Sequence, residues 1–74
     1  MLRQGEILTL NDNKNYLVVY TTEINLKKYA YLIEQDNYTN TMFCKYDNNN
    51  GLEKVIESEI IQQILIKFKE EINR

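Results

Sequence analysis

The chain has 74 residues, 43% of them hydrophobic and 27% charged, with a formal net charge of −2. A chain of this size builds one small folded domain with a thin core, which self-association would readily reinforce. The charge balance lacks the basic stripe of a nucleic-acid binder, no run reaches the ~18–20 apolar residues of a membrane span, and the lone Cys44 forms no internal disulfide.

Taken in chain order, "MLRQGEILTL" has neither the apolar run nor the small-residue cleavage site of a signal peptide, so a reducing cytoplasm is the expected location. The first strand is read over residues 5–10. "NDNKN" follows as a loop, because Asn and Asp tolerate left-handed backbone and bond their own turns. "NYLVVYTT" (15–22) is rich in β-branched and aromatic residues and reads as a strand, as does "KYAYLIEQ" (28–35) after a short polar connection. "DNYTN" reads as the next loop and 41–46 as a fourth strand. Asn50-Gly51 is a strong signal for a type I′ hairpin, which makes 52–56 a short fifth strand. A helix starting near Leu52 is the competing reading.

From Ser58 the sequence "SEIIQQILIKFKEEIN" puts Ile60, Ile61, Ile64, Leu65, Phe68 and Ile72 on one stripe at helical spacing. Ser58 is the expected N-cap, Glu59 suits the first turn, and Ile66 falls off the stripe. The expected fold is therefore α+β: residues 1–74 as one domain, an antiparallel meander of four to five strands, open or curled like an SH3 barrel, with one C-terminal amphipathic helix over about 58–73.

Chemistry is sparse. With no histidine, the usual general base near neutral pH and every Ser-His or Cys-His nucleophile are missing. One cysteine and no histidine make a poor metal set, and "NDNKN" does not match a calcium loop. Two glycines cannot build a phosphate-cradling loop. Cys44 reads as an inert strand thiol, Glu53, Glu57 and Glu59 as an exposed acidic rim, and Lys27–Lys28 and Lys67/Lys69 as solvated surface. The expectation is a protein that is not an enzyme and uses no cofactor or metal.

The strand pattern raises one question. "KKYAYLI" is apolar on both faces, whereas a single helix covers only one. Placing Leu17, Val19, Ala30, Leu32 and Phe43 beneath the helix leaves Tyr16, Val18, Tyr20, Tyr29, Tyr31, Ile33, Met42, Cys44 and Tyr46 on the other side. Tyr16, Val18, Tyr20, Tyr29, Tyr31, Ile33 and Tyr46, with Ile66 on the helix, are thus the candidate partner-binding residues, Tyr20 and Tyr31 at the centre. The face would meet a second copy of the chain or another protein, or else the sheet curls into a small barrel and buries it. Aromatic rings on a sheet also suit weak single-stranded nucleic-acid stacking, but the charge balance argues against it.

"GEILTLNDNKNYLVV", "KYAYLIE", "FCKY" and the terminal helix together resemble small uncharacterised β-meander-plus-helix proteins of low-GC Gram-positive bacteria, their phages and conjugative elements. The resemblance implies carriage on a mobile element and, by analogy with anti-CRISPR proteins, inhibition of a host protein by binding it. It supplies no catalytic residues.

Overall fold

A computed structural model describes residues 2–47 and 51–73. Its strands are β1 (Ile7–Thr9), β2 (Asn15–Ile24), β3 (Lys27–Glu34), β4 (Asn37–Asp47) and β5 (Gly51–Lys54), followed by helix α1 (Ser58–Ile72). The described strands pair in sequence order, every pair antiparallel, in a sheet that curls into a half-barrel. This is the α+β meander with a C-terminal helix. The competing helix start near Leu52 is not realised, because Leu52 lies in β5 opposite Tyr46.

Local chemistry explains where the boundaries differ from expectation. The connection between β2 and β3 shrinks to Asn25 and Leu26, both with positive φ. "DNYTN" is largely strand, since β4 begins at Asn37 and the ladder shifts between Ile33 and Glu34 to absorb the extra residues. Asn50 lies outside the described residues, so the type of the turn before β5 does not enter. Gly51 has φ +70° and pairs with Asp47. The helix N-cap is Glu57 rather than Ser58, and no side chain caps it; Ser58 is the first helical residue.

One irregularity decides which residues share a face. Val18 lies opposite Leu32, yet Tyr20 lies opposite Tyr31, so Val19 is the extra residue of a β-bulge. Because side chains alternate with period two, one inserted residue reverses the parity of the rest of the strand. Tyr16 and Val18 therefore share a face with Ala30, Leu32, Met42, Cys44 and Tyr46. Tyr20 shares the opposite face with Tyr29, Tyr31 and Phe43.

The helix lies on the second of these faces. Ile64 is fully buried there with Tyr20, Ile24, Tyr29 and Val55, and Tyr31, Phe43, Ile60, Ile61 and Phe68 pack around them. Tyr31 stacks on Phe43 at 4.8 Å and meets Phe68 edge-on at 5.6 Å, while Tyr20 tilts against Phe68 at 5.4 Å. Such pairs contribute about 0.5–1.5 kcal/mol each beyond their burial. Ile72 is exposed, beyond the packed part of the stripe.

The first face forms a separate core of Tyr16, Val18, Ala30, Leu32 and Cys44, with Leu2, Leu8, Leu10, Met42 and Tyr46 against it. No helix residue contributes to it. Val18, Ala30 and Leu32 are 0% exposed, so the curl of the sheet buries its own inner face. The expected helix-side set is corrected accordingly. Phe43 lies beneath the helix as expected, whereas Ala30 and Leu32 lie inside the curl with Tyr16, Val18 and Cys44. Leu17 faces outward beyond the helix and is 37% exposed.

Gly51 offers a direct check on the fifth strand. A Cβ there would meet nothing within 4 Å, so any penalty is one of backbone conformation. Gly51→Val should lower unfolding free energy by about 1–2 kcal/mol in a denaturant titration. Gly51→Asn should retain most of the stability.

Candidate binding groove

The half-barrel does not close. In the described sheet β1 and β5 each have a single neighbour, and one groove of about 550 Å³ lies between them. Thr9, Leu10, Asn11 and Asp12 form one wall, Leu52 and Lys54 the other, with Met42 and Cys44 on the floor. The groove is the accessible part of the inner face. Val18, Ala30 and Leu32 are closed off beneath it.

A polar network holds the β1–β2 wall in place. The Tyr16 hydroxyl donates to Asp12 Oδ2 at 2.9 Å, and the Lys14 backbone N–H donates to Asp12 Oδ1 at 3.0 Å. Asn40 Nδ2 donates to Glu34 Oε1 at 2.8 Å and reaches the Tyr16 oxygen at 3.5 Å. Lys14 Nζ lies 3.9 Å from Glu34 Oε1, so this buried carboxylate has both a hydrogen-bond donor and a cation. The Lys14 N–H, helped by the Tyr16 hydroxyl, holds the Asp12 carboxyl below its ordinary value of 3.8. Bonding to that carboxylate, and then burial, push the Tyr16 hydroxyl up. Burial pushes the Cys44 thiol up to about 11, so it stays protonated and poorly nucleophilic at neutral pH.

The seven residues expected on one tyrosine face, and Ile66 expected on the helix, are distributed over four environments. Tyr16 and Val18 are buried in the inner core, and Tyr46 packs half-buried against it. Tyr20 and Tyr29 are buried beneath the helix with the half-buried Tyr31 against them, so the proposed central pair is covered by Phe68 rather than uncovered. Ile33 lies on the outer face in register with Leu17 and Thr41, and Leu17 in turn with Ile7. Ile66 is 57% exposed on the solvent side of the helix. The bulge at Val19 and the helix on the aromatic side are the reasons the single layer does not form.

The groove contains residues that strand reading had left unassigned to a site: Leu10, Asp12, Leu52 and Lys54. Of these, Leu10 alone had a sequence signal, the weak alternation of "GEILTL". Among the described residues, no helix is long and apolar enough to cross a membrane, and no group of three or more His, Cys, Asp or Glu is placed to hold a metal ion. Comparison with protein-family models, with curated proteins and with solved structures found no match.

Two measurements bear on this geometry. Tyr31→Ala should destabilise the fold by about 2–3 kcal/mol, since it removes two ring contacts from the layer under the helix. An unchanged denaturation midpoint would place that ring on a free surface. Because the Asp12 pKa is lowered in the folded state, its contribution is complete above 3.8 and is lost as pH falls through and below that value. Asp12→Asn should therefore lower the melting temperature near neutral pH, and the gap from the wild type should close as pH falls below 3.8.

Proposed function

We propose that this protein acts by binding another protein without catalysing a reaction, and that it takes an extended segment of its partner into the open side of the half-barrel. The observation that carries this reading is a groove with the end of β1 and the β1–β2 turn on one side, β5 on the other, and Met42 and Cys44 on its floor. Edge strands offer backbone N–H and C=O groups to an incoming strand, and the side chains between them provide pockets for every second residue of that strand. The groove is open along one side, which suits a chain laid across it better than an enclosed small molecule.

The titratable groups support binding over chemistry. Asp12 is already engaged by Lys14 and Tyr16, and the Cys44 thiol is held protonated. Asp12 and Lys54 give the rim one charge of each sign, a poor match for a phosphate backbone. The resemblance to mobile-element proteins gives the binding a direction, namely blocking a host protein.

Leu52→Glu tests the reading. Leu52 sits at the exposed edge strand, so the substitution should leave the fold intact by circular dichroism. It should weaken capture of a specific protein from a Gram-positive lysate by about 1–3 kcal/mol once that protein is purified and titrated. Light scattering on the purified chain shows whether the inserted segment comes from a second copy. Binding that survives Leu52→Glu and is lost on Leu17→Glu would move the contact to the outer face and overturn the groove.

A further inference from the structure

The β2–β3 hairpin closes in two residues, Asn25 with φ 53° and Leu26 with φ 68°. Two positive φ values are the type I′ pattern, whose twist matches the flanking strands. Asparagine enters this region readily. Leucine does not, because its Cβ crowds the following carbonyl. Glycine at position 26 would give the favoured Asn-Gly pair.

Leu26 carries a second unfavourable feature. Its side chain is 91% exposed, the highest among the exposed large hydrophobic residues of the described chain. Backbone strain and apolar exposure are independent of each other, and a single change to glycine would remove both. A strained residue persists where surrounding structure or function requires it, and an exposed side chain has no surrounding structure to satisfy.

The tip is also basic. Lys27 and Lys28 follow Leu26 directly in a chain of net charge −2; Glu23 lies opposite Lys28 across the ladder, and Lys27 lines a pocket with Lys45, Lys54, Glu53, Glu57 and Glu59. By strand register the tip lies at the opposite end of β2 from the β1–β2 wall of the groove.

We infer that Leu26 is a contact anchor, inserted by the hairpin tip into an apolar pocket with an acidic lip on a partner protein. This rests on the protein-binding reading and deepens it by naming a second point of attachment and the chemistry it requires. The leucine supplies the desolvated contact. Lys27 and Lys28 supply charge complementarity, which sets orientation and the rate of encounter. The short hairpin holds the anchor in one geometry, so little freedom is lost on binding.

The test uses the intact protein as bait in a lysate of a low-GC Gram-positive bacterium, with the captured protein identified, purified and titrated. Leu26→Gly should raise the melting temperature while weakening that complex about ten-fold or more, and Leu26→Met should restore binding. A lower melting temperature for Leu26→Gly would mean that the leucine serves the fold, and would overturn the inference. Binding that Leu26→Gly leaves unchanged but Leu52→Glu abolishes would retain the groove and reject the anchor. Absence of any specifically bound protein would reject both.

Discussion

The curl of the sheet over its own inner face is the constraint on which the rest of this structure depends. The described residues of this 74-residue chain include one amphipathic helix for a sheet that is apolar on both sides. The helix covers the outer aromatic layer. The inner layer has no covering element among the described residues, and the sheet buries it by bending until Val18, Ala30, Leu32 and Cys44 meet Leu8 and Leu10. Tyr16, Val18, Ala30, Leu32 and Cys44 fill the concave side, and Tyr20, Tyr29, Tyr31 and Phe43 lie on the other side with the helix.

The bulge at Val19 makes the two layers compatible. Without it, Tyr20 would follow Tyr16 and Val18 to the inside, where it would compete with the Tyr16 ring for the same volume. With it, β2 contributes Tyr16 and Val18 to one core and Tyr20 and Ile24 to the other. Bulges bend strands and increase their local twist, so the same residue that divides the side chains also promotes the curl. The unclosed gap between β1 and β5 follows from the curl, and the groove follows from the gap.

Strand and helix positions were legible in the sequence because their signals are local. β-branched and aromatic runs marked β2, β3 and the second half of β4, the Asn50-Gly51 turn signal marked a fifth strand expected at 52–56 and found at Gly51–Lys54, and the Ile60–Phe68 spacing marked the helix. Face assignment was not legible. Alternation read from "YLVVY" assumes an unbroken period of two, and nothing local distinguishes a bulge at Val19 from a regular strand. The consequence was a fictitious layer joining Tyr16 to Tyr20. The groove was legible only in part: the parity of Met42, Cys44 and Tyr46 was visible, but which wall opposed them depends on curvature, a property of the whole sheet. Leu26 carried no strand or helix signal, and its strain appears only in the backbone.

The most direct test of this account is a nuclear Overhauser spectrum with methyl and aromatic assignments. Contacts should link Val18 to Leu32 across the strands, and Tyr20 and Tyr31 to Phe68. No contact should join Val18 or Leu32 to Ile64 or Phe68, because the sheet itself lies between them. Observation of Val18 or Leu32 against the helix, with Tyr20 on the far side, would mean that the strand is regular through Val19 and that the inner face, the curl and the groove are wrongly assigned.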